Sequence, residues 1–426
     1  MKRVVILCVW LFSVVAGYAQ LSRDECRRLA RENYPEIRQY DLVHQTEQYN
    51  LSNAARAWIP QIAFSAQATW QTDAPNFPKE LTGMLAQQGL EIPGLRKDQY
   101  KVALELNQTI WDGGKSVADK RIARAEAAEQ KTMTDVDLYE LEGRVDDLYF
   151  GILLLDERIA QTNLTLNLLR SNLEKVRALQ RNGVAMQSDA DVLEAELLSV
   201  GQQLIQFESS CDSYRRMLGI FIGQKVGDRK LQRPSAVQPL SGESARPELA
   251  MFAAKIDRLT AQEKMVKSSS MPRLGFFAQG YYGYPGLDYM QSMMNSDWSW
   301  NAMFGVKLSW NFGAYYTQKN NLNKLRTSRQ QVEVQRDVFL FNMNLQAAQE
   351  NGDIARLRKA IADDDRIVAL RRSVREAAES KLRNGIIDTH DLLSKITDES
   401  TASMARSMRE IELLKAIYEY KHTINR

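Results

Sequence analysis

Four short stretches of this 426-residue chain alternate apolar and polar residues with a period of two. In the first, Ile62, Phe64, Ala66, Ala68 and Trp70 face one way, and Gln61, Ser65, Gln67 and Thr69 the other. In the second, Val102, Leu104, Leu106 and Ile110 oppose Lys101, Glu105, Asn107 and Thr109. Leu274, Phe276, Ala278 and Tyr282 oppose Arg273, Gln279 and Tyr281 in the third. The fourth sets Trp300, Ala302, Phe304, Val306, Leu308 and Trp310 against Asn301, Lys307, Ser309 and Asn311. Side chains alternate across a strand, so each run predicts a strand with one apolar and one polar face. Each is about ten residues long, the length of a tilted membrane-spanning strand.

Beyond the first twenty residues, every tryptophan (Trp58, Trp70, Trp111, Trp298, Trp300 and Trp310) lies in or beside these runs. Aromatic girdles occupy both interfaces of a membrane barrel. A soluble sheet with one wet face would not explain why tryptophan avoids the rest of the chain. Four strands cannot close a barrel, and an open edge is not tolerated in lipid. Several chains must contribute, and three copies would supply about twelve strands, an even number within the usual barrel range. Lys101, Glu105, Arg273 and Lys307 then point into the barrel lumen, where they tune conductance or, more simply, keep the lumen wet. The loops 71–99 and 283–298, rich in Pro and Gly, read as exposed connections.

The runs belong to an internal duplication. WIPQIAFSAQATW, YKVALELNQTIWDGG and LQRNGVAMQSDADVLEAE in the first half align with SMPRLGFFAQGYYG, WNAMFGVKLSWNFGA and KLRNGIIDTHDLLSKITDE in the second. Pro60 pairs with Pro272, Gly113 with Gly313, and Arg181-Asn182-Gly183 with Arg383-Asn384-Gly385. After its strands each copy turns into a very long helical stretch. From Leu138 a heptad seam runs through Leu141, Val145, Leu148, Ile152, Leu155, Ile159, Thr162, Leu166, Leu169 and Leu173 to Val176. One position, Thr162, is not apolar, which is a coiled-coil signature. No proline interrupts residues 94–233. The second long helix has a less regular seam, broken by Asp363-Asp364-Asp365, which reads as a solvated face rather than a metal site.

This layout predicts a signal peptide over 1–19 and a first repeat over 20–222. That repeat holds a barrel hairpin at about 61–111, a long helix at about 114–181 and a return helix at about 186–218. An equatorial connector spans 223–247. The second repeat, 248–426, holds a hairpin at about 273–312, a long helix at about 315–382 and a return helix at about 388–421. Gly183 and Gly385 mark the helix reversals, as glycine does after a helix C-terminus.

The stretch NQTIWDGGKSVADK, at 107–120, ends like a phosphate-binding loop in Gly114-Lys115-Ser116. Such a loop needs a glycine five positions before Gly114, where Thr109 stands. The strand before it also alternates, whereas a buried parallel strand is continuously apolar. Gly113, Gly114 and Gly313 instead suit a junction where a barrel strand bends into a helix.

Lys2-Arg3, the apolar run to Ala16 and Gly17-Tyr18-Ala19 form an export signal. The formal net charge of +3 falls close to zero once those two cations leave, which argues against nucleic acid as a partner. Cys8 lies within the signal. Cys26 and Cys211 could pair in an oxidising compartment, but nothing in their local sequence requires it and spacing alone does not fix pairing, so two unpaired thiols are the preferred reading. His44, His390 and His422 are scattered without metal spacing. No cofactor, metal site or catalytic residue is expected, and no enzyme.

The two proline-preceded hairpins, the Trp-Asp-Gly-Gly exit at 111–114, Arg-Pro-Glu-Leu at 246–249 and the two Asn-Gly turns resemble the TolC family of outer-membrane channels. The resemblance covers nearly the whole chain after the signal. It implies a mainly α fold with a membrane β-barrel: a homotrimer whose four strands per chain close a twelve-stranded barrel, continued by a twelve-helix periplasmic coiled-coil tunnel. It implies a passive exit duct in outer-membrane lipid, joined through a periplasmic adaptor (membrane fusion) protein to an inner-membrane pump of RND or ABC type, for efflux or type I secretion. Asn182, Gly183, Gln187, Asn384 and Gly385 would form the tips that meet the adaptor. Family members carry carboxylates six and nine residues after the second tip glycine. Asp391 fills the first position here and Ser394 the second, with Asp189, or the Asp191 that opens Asp-Val-Leu, as the first-copy partner. The family's arginine two residues after that glycine is Ile387, with Arg383 and Lys395 nearby. The blander alternative is that Asp388 and Asp391 simply open the returning helix, where acids are favoured. The other architecture the heptads permit is a periplasmic coiled-coil adaptor or adhesin without a pore.

Overall fold

The structure is a computed structural model that describes residues 20–90, 92–237 and 244–425. The predicted signal, with Cys8, lies outside the described residues. Elements run in the order α1 (Arg23–Asn33), a 3-10 turn (Pro35–Arg38), α2 (Gln39–Arg56), β1 (Gln61–Trp70), α3 (Lys79–Gln87), β2 (Asp98–Trp111), α4 (Lys115–Arg181) and α5 (Gln187–Ile222). There follow α6 (Pro247–Ser268), β3 (Arg273–Tyr284), α7 (Tyr289–Met294), β4 (Ser299–Ser309), α8 (Ala314–Arg383) and α9 (Thr389–Ile424). The chain forms two compact units: residues 41–130 with 253–333, and the described parts of 1–40, 131–252 and 334–426.

The first unit carries the sheet. Its strands lie in sequence order, β1-β2-β3-β4, each antiparallel to the next. Ile62, Leu106, Ala278 and Phe304 stand in one cross-strand row, and Ala63, Glu105, Gln279 and Met303 in the adjacent row on the opposite face. A single-residue slip would exchange the faces, so the alternation itself fixes the register. Each connecting loop contains a short helix, α3 or α7. They are also tied together. Gly94 N–H donates to the Met293 carbonyl at 3.1 Å, and the Tyr284 hydroxyl accepts from Arg96 N–H at 2.9 Å while donating to the Ser292 carbonyl at 3.1 Å.

The helical unit is organised by the α4 seam. Leu138, Val145, Ile152 and Val176 are fully buried, and Leu141, Leu148, Leu155, Leu166, Leu169 and Leu173 nearly so. Burying one such side chain contributes about 1.5–3 kcal/mol before entropy is charged against it. The seam feeds two clusters. In one, Val145, Tyr149, Phe150 and Ile152 pack with Cys26, Leu218, Ile411 and Tyr418. In the other, Leu166, Leu169, Leu173 and Val176 pack with Leu193, Ala378, Leu392 and Ile396. The seam's one polar position, Thr162, falls between them and is buried, its hydroxyl unpartnered within protein.

Ion pairs that sequence reading did not single out pin α1 to α4. Arg23 clasps Asp146 through Nε at 3.0 Å and Nη2 at 2.7 Å, and Arg27 reaches the same carboxylate through Nε at 2.9 Å and Glu142 at 3.1 Å. Arg23 and Asp146 are each 8% exposed.

The acidic triplet of α8 is exposed, as expected, at Asp363 and Asp365 but not at Asp364. Asp364 is buried against Arg409, and Asp365 accepts from Arg406 Nε at 2.9 Å. The arginines come from α9, so the pairing is long-range and invisible to local pattern. Among the described residues no group of three or more His, Cys, Asp or Glu could hold a metal ion. Cys26 and Cys211 are buried, unpaired thiols of one cluster, and burial pushes the Cys26 thiol up to about 12. No described helix is long and apolar enough to cross a membrane.

Candidate functional site: sheet faces, junctions and helix tips

Within the sheet unit, one face is apolar and bare. Phe64, Trp70, Trp300, Phe304 and Leu308 are 73%, 71%, 82%, 79% and 68% exposed. At one end of the strands Tyr100, Tyr282, Trp298 and Trp300 form a ring cluster with centroids 5.0–5.7 Å apart. Past the other end of β4, Trp310 packs on Phe312 at 4.7 Å and its indole N–H donates to the Ser270 carbonyl at 3.1 Å. An aliphatic band between two aromatic rows is what a strand shows to lipid, and an apolar patch of this extent marks an interaction surface.

The opposite face carries all four residues read as lumenal. Lys101 Nζ donates to Gln279 Oε1 at 3.0 Å and lies 4.6 Å from the Tyr281 ring centroid. Gln279 Nε2 donates to Glu105 Oε1 at 2.5 Å, so one amide bridges the two charges. Arg273 and Lys307 are exposed and no carboxylate pairs with either among the described residues.

The junction after β2 is built on Asp112. One carboxylate oxygen accepts from Gly114 N–H at 2.9 Å, and the other from Ser116 N–H at 2.6 Å and the Ser116 hydroxyl. Burial alone would raise this carboxyl's pKa, but these donors outweigh it and hold the group below the usual range. Gly113 and Gly114 adopt φ of +70° and +85°, and a Cβ on Gly113 would sit 2.7 Å from Met271 Cβ. Sequence reading chose the glycines and passed over Asp112, though an acid just before a helix is a standard capping signal. The second junction does not repeat the turn. Gly313 has no left-handed φ, and α8 starts at Ala314, where the first copy has Gly114. A residue with a Cβ resists that conformation, so the second copy enters its helix sooner.

In the helical unit the two reversals are closely alike. Gly183 (φ +75°) N–H donates to the Gln180 carbonyl and Val184 N–H to that of Leu179, both at 2.9 Å. Gly385 (φ +67°) N–H donates to Leu382 at 3.0 Å and Ile386 N–H to Lys381 at 2.9 Å. These are paired Schellman turns, which satisfy the last helical carbonyls. Asn182, Gln187 and Asn384 are exposed, with Gln187 Nε2 donating to Asp191 Oδ1 at 2.7 Å. Asp189 Oδ2 accepts from Met186 N–H at 2.8 Å. In the second copy Asp388 Oδ1 takes Asp391 N–H at 2.8 Å, which leaves the Asp391 carboxylate exposed, as is Ser394. The turns also present Val184, Met186 and Ile386 at 67–74% exposure, apolar residues that the Asn-Gly signal pointed towards without naming.

A family model for outer membrane efflux proteins matches residues 27–223. The first copy of the repeat therefore resembles the outer membrane efflux proteins. The chain's fold extends the likeness to the second copy. The outer membrane protein VceC of Vibrio cholerae aligns over 94% of this chain and 95% of its own at TM-score 0.68 and 14% identity. The OprN channel aligns over 94% and 89% at TM-score 0.70 and 14% identity. The open-state MtrE channel of Neisseria gonorrhoeae aligns over 94% and 88% at TM-score 0.65 and 13% identity. No curated protein matches the sequence.

The whole chain shares its fold with these outer-membrane proteins. Its second tip departs from the TolC pattern at Ile387 as well as at Ser394. Ile387, at the arginine position, packs against the cluster of Leu392 and Ile396, in company with Leu382, Leu393 and the first-copy equivalent Ala185. Arg383 and Asn384 remain outside that cluster, exposed.

Proposed function

We propose that three copies assemble into the passive exit duct of a tripartite efflux or type I secretion system, coupled through a periplasmic adaptor to an inner-membrane pump of RND or ABC type. The observation that carries this is the open sheet: β1 and β4 leave unpaired edges beside a bare apolar face, and lipid tolerates such strands only in a closed ring. The residues 20–222 and 248–426 act as two copies of one conduit-forming unit, joined by the connector 223–247. The tips at Asn182-Gly183 and Asn384-Gly385, with Gln187 and the exposed Val184 and Ile386, are the adaptor surface. Asp391, with Asp189, contributes a cation-selective constriction. Three symmetry-related carboxylates near an axis attract cations and repel anions, and Asp391→Ala is expected to lower cation selectivity and divalent block in planar bilayers.

A photo-crosslinker at Gln187 in intact cells tests the assembly. Capture of an adaptor, with its pump co-purifying, is the expected result. Capture of only its own copies, with the protein abundant and folded, would return weight to a structural coiled-coil role.

A further inference from the structure

The charges on the polar face of the sheet are not evenly spread. Lys101 and Glu105 neutralise one another through Gln279. Arg273 and Lys307 sit towards the junction end of their strands, where the register opposes Arg273 to Ser309 and Lys307 to Gly275. They are therefore diagonal neighbours on one face, on the order of 7–8 Å apart. The positions around them on that face are Thr109, Gly275, Gly305 and Ser309, none of them acidic. Closing a ring of copies would bring β1 alongside β4, and β1 carries no charged residue on either face. Assembly thus supplies no counter-ion to Lys307.

These two cations line a cleft of about 380 Å³ together with Gln61, Asn107 and Phe277. The two acids that also line it, Asp112 and Asp119, are already engaged. Asp119 pairs with Lys115 at 2.7 Å, and Asp112 is saturated by Gly114 and Ser116. Phe277 lies on the otherwise wet face, its ring against Gly305, where a Cβ would come within 3.0 Å of it. A cation pair beside an aromatic face and two amides is a setting for an organic anion with a flat apolar body.

The geometry points to Arg273, Lys307 and Phe277 as a cargo subsite for aromatic organic anions in the channel wall, repeated in each copy as a cationic collar at the junction end of the barrel. This rests on the trimeric channel proposed above. The collar is opposite in charge to the tip carboxylates, so the duct would hold one anion-favouring and one cation-favouring site.

The test is current block in planar bilayers containing oriented full-length channels, with 2-naphthalenesulfonate or naphthylmethylammonium added on the barrel side. The sulfonate is expected to block more strongly than the ammonium. Arg273→Gln with Lys307→Gln should weaken sulfonate block about tenfold, the scale of one lost charge-assisted contact. Lys101→Gln should leave it unchanged. Arg273→Glu with Lys307→Glu should invert the preference towards the ammonium, a gain that misfolding cannot produce. Equal block by both probes, or sulfonate block unaltered in the double variants, overturns the subsite while leaving the channel intact. Absence of any conducting assembly from the wild-type protein overturns the channel reading itself.

Discussion

The two long helices are near twins in length, 67 residues in α4 and 70 in α8, and opposites in burial. The α4 seam is consumed inside the chain. In α8 only Ile354, Leu357, Asp364 and Ala378 are buried. Val334, Val338, Phe341 and Leu345 step by fours and threes along it at 53–65% exposure, and Ile367, Leu370 and Val374 repeat the spacing further on. A heptad stripe with nothing against it is half of an interface. The first long helix is therefore spent within the protomer, while much of the second is left free for a partner.

The largest effect should come from the bare stripe. Val338→Asp with Phe341→Asp is expected to abolish the trimer in native electrophoresis while helical circular dichroism is retained; Ile152→Asp, on the α4 seam, should remove the fold as well. If both variants lose their helices, the division of labour between the two long helices is wrong. Next, Asp146→Ala leaves Arg23 and Arg27 without their shared carboxylate, and unfolding in denaturant should show a loss of about 3–5 kcal/mol. Its contrast is Asp353→Ala in α8, whose partner Arg356 is 65% exposed, where the change should stay below about 1 kcal/mol.

The junctions sharpen the same contrast at smaller scale. Gly113→Ala must hold φ near +70° and press on Met271, for a cost of about 1–2 kcal/mol from the backbone alone. Gly313→Ala has no such φ and should fall within about 0.5 kcal/mol of wild type. Thermal melts of the two variants side by side decide it. A pH effect at the end of α9 adds a further contrast. His422 stacks on Tyr139 with centroids 4.1 Å apart, while its first-copy equivalent Ile220 is 77% exposed. Burial and the nearby Arg27 and Arg246 lower the His422 pKa to about 4. The folded state therefore prefers the neutral ring, and the unfolded chain takes up the proton first. Stability present above an ordinary histidine value of about 6.5 is lost as pH falls through 4. The melting temperature of wild type should drop more steeply over that window than that of His422→Gln.

The strands and the α4 seam were legible because a period of two and a heptad are local properties of the sequence. The faces of Lys101, Glu105, Arg273 and Lys307 followed from the same alternation. What depended on distant partners was not legible: the burial of Asp364 against Arg409, the clasp of Arg23 and Arg27 on Asp146, and the pairing of Arg246 with Glu248 beneath the Tyr139 ring. The motif Arg-Pro-Glu-Leu was conspicuous as a string, yet its physical task needs a tyrosine more than a hundred residues earlier. Gly313 misled for a subtler reason. Its neighbour Ala314 removes the second left-handed position, and with it the whole turn.

Ile387 carries a consequence beyond its own contacts. The second tip is held by dispersion among Ile387, Leu382 and Leu393 where the family pattern has a guanidinium. Such packing is indifferent to the Debye length and weakens on cooling. The resting state of this tip should therefore survive concentrated salt that loosens an ion-paired one, and its threshold for opening should be set by temperature.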